Sequence, residues 1–188
     1  MRRVLLISLL CLLAVASTGC KKALLRRQLK ELMGSTIVLP EKISCVYNGE
    51  VYPMPDSLRE KAMLIMYIDS TECTGCRLSK LVEYHSFAEA LRDWNMEFLA
   101  LVSPKQSEHE YVSDLILSYV YPFPVFLDDE GAFFLRNPQF AGKPSNLHAV
   151  LVNQEKRPVL IGDPLGSEAM SELLFKRVTT LISNKALQ

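Results

Sequence analysis

Residues 62–77 read Ala62-Met63-Leu64-Ile65-Met66-Tyr67-Ile68, then Asp69-Ser70-Thr71-Glu72, then Cys73-Thr74-Gly75-Cys76-Arg77. The first seven are apolar throughout, the pattern of a central strand covered on both faces rather than of a half-exposed one. The polar residues turn the chain, and the two cysteines open a helix. Cysteines three positions apart at a helix start can close a small disulfide whose chemistry is reversible electron exchange. Unpaired backbone N–H groups and the helix dipole favour a thiolate there. Cys73 is therefore expected at the exposed end, and Cys76 about a turn inside and less accessible. In such a pair Cys73 exchanges with a partner's sulfur and Cys76 resolves the mixed disulfide. Arg77 brings a positive charge close by and Glu72 a negative one, with opposite effects on the thiols.

Working outward, Ile43–Tyr47 and Val51–Met54 flank Asn48-Gly49-Glu50, a hairpin signal. Ser57-Leu58-Arg59-Glu60 marks a turn or short helix. After the cysteines, Leu78, Leu81, Val82 and His85 fall on one helical face. The stripe then shifts to Phe87, Leu91 and Trp94, and Ser86-Phe87-Ala88-Glu89 suggests a restart there. Met96–Val102 reads as a buried strand. A helix from Ser107-Glu108-His109-Glu110 to about Val120 would turn Tyr111, Val112, Leu115, Ile116 and Tyr119 inward. Val125–Leu127, Leu147–Val152 and Pro158–Ile161 read as strands, with a helical or irregular piece through Asn137 between the first two. A last helix from about Ser167 buries Met170, Leu173, Leu174, Val178 and Leu181. Such alternation predicts an α/β sandwich with a mixed sheet.

The beginning of the chain has a different character. Arg2 and Arg3 precede thirteen apolar residues, Val4 to Ala16, too short a run to span a bilayer comfortably and typical of a secretory signal. Ser17-Thr18-Gly19-Cys20 then resembles the lipobox of bacterial lipoproteins, with Ser17 where leucine is usual. That reading makes residues 1–19 a removed signal and Cys20 a lipidated N-terminus, held stably by several acyl chains. The plainer alternative is an ordinary signal followed by an incidental cysteine. Residues 20–36 then form a basic membrane-proximal tether, 37–183 the folded domain and 184–188 a tail. Leu25, Leu29 and Leu32 could lie on one stripe of a helix resting on anionic lipid head groups, or the segment could be a solvated spacer. Lys21 lacks the acidic character that retains some lipoproteins in the inner membrane, which slightly favours the outer membrane.

Lys21 to Met33 holds five basic residues and one acid. Without these and Arg2 and Arg3, the 21 basic and 21 acidic residues fall to 14 and 20, so the body is acidic. A basic collar on an acidic body argues against nucleic acid as a partner. Of five cysteines, Cys11 goes with the signal, Cys20 takes lipid, Cys73 and Cys76 pair, and Cys45 remains as a small hydrophobe beside a turn. Export places the pair in an oxidising compartment, the periplasm-facing side of the cell envelope, where it can cycle.

With the apolar strand, the Asp69–Glu72 loop, the CxxC and the later Phe123-Pro124-Val125-Phe126-Leu127-Asp128 and 149–162 hairpin, the chain resembles the thioredoxin-like superfamily. The likeness is nearer to its membrane-anchored, secreted branch related to alkyl hydroperoxide reductase/thiol-specific antioxidant proteins. The resemblance covers roughly residues 37–182. It implies an α/β/α sandwich with an N-terminal hairpin and an inserted α-β element. It also implies thiol:disulfide oxidoreductase activity on envelope protein thiols or disulfides, without a cofactor. Three departures stand out. Glu72 replaces the usual aromatic residue before the first cysteine. Tyr67 replaces a buried acid in the strand, leaving Asp69 as the nearest carboxylate. Asn146-Leu147-His148 occupies the place of the family's cis-proline, with Pro144 too early in the chain.

Other chemistries fit the same residues less well. A peroxidase of the peroxiredoxin type needs Pro and Thr where the chain has Met66 and Ser70. A zinc site would have to complete one CxxC with Cys45, His85, His109 or His148, and no paired spacing supports it, so no metal is expected. Attached haem needs histidine where Arg77 stands. A static disulfide in a binding or assembly protein remains the alternative for Cys73 and Cys76. His85 reads as a core histidine. His148 is the histidine to examine for proximity to the sulfurs, beside its plain reading as a strand residue.

Overall fold

The computed structural model describes residues 22–41, 43–47, 50–71, 73–128 and 130–185. The signal, Cys20, Asn48-Gly49 and Glu72 lie outside the described residues. A helix over residues 22–33, α1, leads into the hairpin β1 (Ser44–Tyr47) and β2 (Glu50–Pro53). A single helical turn, α2 (Asp56–Arg59), precedes the long central strand β3 (Met63–Ile68), every residue of which is buried. The cysteine-bearing α3 (Thr74–Lys80) passes through a 3-10 turn, Leu81–Tyr84, into α4 (His85–Asp93). Then come β4 (Glu97–Val102), α5 (His109–Ser118), β5 (Val125–Leu127) and α6 (Ala132–Arg136). The hairpin β6 (Ala149–Val152) and β7 (Pro158–Ile161) and the long α7 (Glu168–Lys185) close the fold.

Among the described residues seven strands form one sheet in the order β2-β1-β5-β4-β3-β6-β7. β3, β4 and β5 run parallel, while β1, β6 and β7 join antiparallel, so the sheet is mixed as the sequence predicts. The period-2 alternation of a strand sends neighbours to opposite sides. Leu64, Met66 and Ile68 therefore pack beneath α3, α4, α5 and α7, with Leu78, Leu91, Val112, Ile116 and Leu174. Met63, Ile65 and Tyr67 pack on the other face with Phe133, Phe140 and residues of the N-terminal segment. Each fully buried Leu, Ile or Phe side chain contributes on the order of 1.5–3 kcal/mol, which is why a strand apolar on both faces belongs at the centre.

The basic N-terminal segment is not held apart from this body. Leu32 is 0% exposed within the second core and Leu29 packs beside it, whereas Leu25, the third residue of the expected stripe, is exposed. Lys143 pairs with Glu31 at 2.9 Å across 112 residues. Farther on, the buried Asn137 treats the chain like a strand partner. Its amide donates to the Val38 carbonyl and accepts from the Val38 N–H, both at 2.8 Å.

Several helical faces differ from the sequence expectation. The break after α3 comes at Leu81–Tyr84, before Ser86 rather than at it, and it rotates the buried face. Val82 and His85 are consequently exposed and Tyr84 is buried instead; His85 pairs with Glu89 at 3.2 Å. In α5 only Val112 and Ile116 set the buried face, and Tyr111 and Tyr119 are exposed. Trp94 is also exposed, its ring meeting Phe175 edge-on. Leu147 belongs to a 3-10 turn, Ser145–Leu147, so β6 begins two residues later than expected.

Candidate functional site: the Cys73–Cys76 pair

β3 delivers the chain to Asp69 at its end. The Asp69 carboxylate accepts the Thr71 backbone N–H at 2.8 Å and also the Thr71 hydroxyl, an Asx turn that reverses the chain toward α3. Cys73 is the N-cap of α3, and its sulfur accepts the Cys76 N–H at 3.4 Å. The Arg77 N–H donates to the Cys73 carbonyl at 3.1 Å, the first helical bond. Cys73 and Cys76 are joined as a disulfide with Cα atoms 5.3 Å apart.

Both cysteines are exposed, the expected attacking Cys73 and resolving Cys76 alike. The reason lies in the first residues of the helix. Thr74 turns inward and is buried, and this directs the Cys73 and Cys76 positions outward together. The Thr74 hydroxyl is fully buried with no hydrogen-bond partner among the described residues. Gly75 meets α5: a Cβ there would lie 3.4 Å from the Tyr111 hydroxyl and 3.9 Å from Leu115. A shallow groove of about 390 Å³ results, lined by the Cys73-to-Cys76 turn, Ser79, Glu108 and Tyr111.

Arg77 does not face this groove. Its guanidinium lies 3.8 Å from the Met66 sulfur, and with Lys80 it lines a separate recess on the other flank of α3. There the buried Tyr84 donates its hydroxyl to Asp163 at 2.6 Å. Burial, reinforced by that carboxylate, pushes the Tyr84 phenol well above the ordinary tyrosine range. Asp163 also accepts the Leu165 N–H at 3.0 Å, so one carboxylate ties the 3-10 turn to the loop after β7.

On the opposite face of β3 lie two positions singled out in the sequence, Tyr67 and His148. Tyr67 is buried, its ring stacked on Phe133 at a centroid distance of 4.6 Å and meeting Phe134 at a tilt at 4.4 Å. Burial raises its ionisation far above the usual range, and its hydroxyl pairs with Ser103. This position holds a neutral phenol and no acid. His148, just before β6, is buried, and its carbonyl accepts the Tyr67 N–H at 3.0 Å. Its Nδ1 lies 3.9 Å from Asp69 Oδ2. The structure thus brings Asp69 and His148 together, and no peptide bond among the described residues is cis. Cys45 is buried, and desolvation pushes its thiol up to about 11. Among the described residues no group of three or more His, Cys, Asp or Glu is placed to hold a metal ion.

Tyr111, Glu108 and the Tyr84–Asp163 pair are site features that sequence reasoning missed. Tyr111 sits next to Val112 in an amphipathic helix, and only the packing of Gly75 against α5 reveals which face it takes.

No protein-family model matches this chain, and no curated protein matches it. Solved structures do. A hypothetical protein from Sinorhizobium meliloti aligns with a TM-score of 0.51 at 16% identity, covering 80% of this chain and 86% of that one. A thiol:disulfide interchange protein, provisionally assigned as DsbE, from Chlorobium tepidum aligns with a TM-score of 0.50 at 13% identity, covering 76% and 96%. An uncharacterized thioredoxin-like protein from Porphyromonas gingivalis aligns at 0.49 and 18% identity, covering 80% and 95%. The fold of this chain is thioredoxin-like, with the CxxC at the strand-to-helix junction.

Proposed function

We propose that the chain is a lipid-anchored thiol:disulfide oxidoreductase of the cell envelope, acting on protein thiols or disulfides through Cys73 and Cys76. The observation that carries this reading is an exposed disulfide at the helix cap of a thioredoxin-like fold, with a backbone N–H aimed at the Cys73 sulfur. That N–H stabilises negative charge on the sulfur, which lowers the cost of forming and expelling the Cys73 thiolate.

As a reductant the reduced pair works in two displacements. The Cys73 thiolate attacks one sulfur of a partner disulfide, forming a mixed disulfide and releasing the partner's other sulfur as a thiolate. The Cys76 thiolate then attacks the Cys73 sulfur, closing the Cys73–Cys76 disulfide and releasing the second partner thiolate. Two electrons pass from dithiol to disulfide, and the two protons end on the partner thiols. An external dithiol reductant restores the pair.

The second reading is a thioredoxin-fold binding or assembly lipoprotein with a structural disulfide. Tyr67 favours it, because a buried neutral phenol leaves no proton acceptor at that strand position. Measurement of the pair's reduction potential, together with insulin reduction using Cys73→Ser as control, separates the two. A potential below about −300 mV without turnover marks a structural disulfide and overturns the oxidoreductase reading.

For the anchor, the support is the lipobox-like Ser17-Thr18-Gly19-Cys20. Among the described residues no helix is long and apolar enough to cross a membrane. Cys20→Ala is expected to release the protein from envelope membranes into the periplasm; a variant that stays bound has another anchor. Separation of inner from outer membranes tests the preference for the outer one.

A further inference from the structure

The groove beside the disulfide has a chemical character of its own. One side is the Cys73-to-Cys76 turn, and the other is formed by Glu108, the N-cap of α5, and Tyr111 in its first turn. These are three positions apart at a helical N-terminus and so share one face. Tyr111 is 63% exposed, an unusual outlay of aromatic surface for a residue whose hydroxyl edge packs on Gly75. The carboxylate of Glu108 meets Lys105 at 3.9 Å, in an exposed pair that constrains neither side chain strongly. Elsewhere on its surface α5 also exposes Glu110 and Asp114. The cations of α3 line the recess on the other flank, away from this groove. Beneath the groove, Thr74 holds a buried hydroxyl with no partner among the described residues.

We propose that a partner polypeptide crosses the disulfide in this groove, and that Tyr111 and Glu108 select a lysine or arginine side chain beside the partner's reacting cysteine. An aromatic face and a carboxylate together match a long side chain with an apolar stem and a cationic head, through cation–π attraction and ion pairing. The body's acidic excess attracts such partners at longer range and is screened by salt. Glu72 stands where the superfamily's aromatic residue is expected, and Tyr111 supplies aromatic surface from a different element. The inference rests on the oxidoreductase reading and names the substrate class of the same site.

The test uses the full chain with Cys20→Ala for solubility, reduced by an external dithiol. Its substrates are a small neutral disulfide and three peptides that differ only in the residue next to a disulfide-bonded cysteine, which is Lys, Gln or Glu. Turnover of the small disulfide establishes redox competence, and its absence overturns the oxidoreductase reading itself. Given competence, kcat/KM is expected to be about tenfold higher for the Lys peptide than for the Glu peptide, with Gln between and the spread shrinking in high salt. Glu108→Gln and Tyr111→Leu should each bring the Lys-to-Glu ratio toward one. Equal rates for the three wild-type reactions, or a preference for Glu, overturn the inference while leaving the enzyme reading intact. The wild-type ratio decides the matter even where a variant folds poorly.

Discussion

Asp69 Oδ2 and His148 Nδ1 lie 3.9 Å apart, both side chains buried where β3 ends and β6 begins. The same carboxylate accepts two hydrogen bonds from Thr71. It therefore fixes the turn into α3 and at the same time faces His148. Asp69→Ala removes both roles and is expected to cost about 1–3 kcal/mol in urea denaturation. Asp69→Asn keeps an oxygen acceptor for Thr71 and should cost less. Equal losses for the two variants would mean that the charge opposite His148, rather than the turn, carries the stabilisation.

Thiol reactivity should divide along burial. After reduction, Cys73 and Cys76 are expected to alkylate quickly in the native protein, since both are exposed. Cys45 should alkylate only on unfolding, because it is 1% exposed and its thiol is pushed up to about 11. Mass spectrometry of a time course in native buffer and in denaturant reads this directly. Rapid modification of Cys45 in native buffer contradicts its place in the core.

Alkaline stability follows from the raised groups. Burial and Asp163 raise the Tyr84 phenol, and desolvation pushes Tyr121 up to about 12 and Cys45 from 9.0 to about 11. A folded value above the unfolded one means that the native state holds the proton longer. The stabilisation is then complete below the unfolded value and is lost as the pH rises through the folded one. Stability should accordingly fall from about pH 9 upward. Tyr84→Phe removes the 2.6 Å bond to Asp163, costing about 1 kcal/mol at neutral pH, and should make the alkaline decline shallower. An unchanged alkaline slope in this variant argues against Tyr84 as a contributor.

Leu32→Ala is expected to destabilise the domain by about 2–5 kcal/mol, because the side chain is wholly enclosed between α1 and the second core. A solvated spacer would make the same substitution nearly neutral. Thermal melting of the two proteins is sufficient.

At Gly162 the backbone adopts φ +136°, which side-chain-bearing residues rarely occupy, and a Cβ would come within 2.8 Å of the Met170 side chain. Its N–H also donates to the Ala149 carbonyl at 2.8 Å, closing the β6–β7 ladder. Gly162→Ala should lower stability by about 1–3 kcal/mol. Adding Met170→Ala should recover only the crowding part, leaving the backbone cost.

The strands were legible in the sequence because burial on two faces leaves an unbroken apolar run, as at Met63–Ile68, and because Asn48-Gly49 punctuates a hairpin. The CxxC was legible for the same reason of local order. Helix faces were less so. Tyr84 rather than His85 turned inward because a 3-10 turn of three residues per repeat rotates the stripe, and nothing in the residue types announces that turn. Tyr111 is invisible as a groove wall until Gly75 lets α5 approach. The contact between Asp69 and His148 joins residues 79 positions apart, and only the pairing of β3 with β6 creates it.

The two outermost strands have a further bearing on partners. β2 begins with Glu50 and ends with Pro53; β7 starts at Pro158, beside a register shift at Leu151/Val152. Charge, proline and irregular register are the devices that stop a foreign strand from extending a sheet. Neither border invites an incoming chain to zip onto the ladder. A polypeptide partner of the kind proposed above would be read by side chains at the helix ends, and an unfolded one would touch the sulfurs and depart without being templated into aggregate.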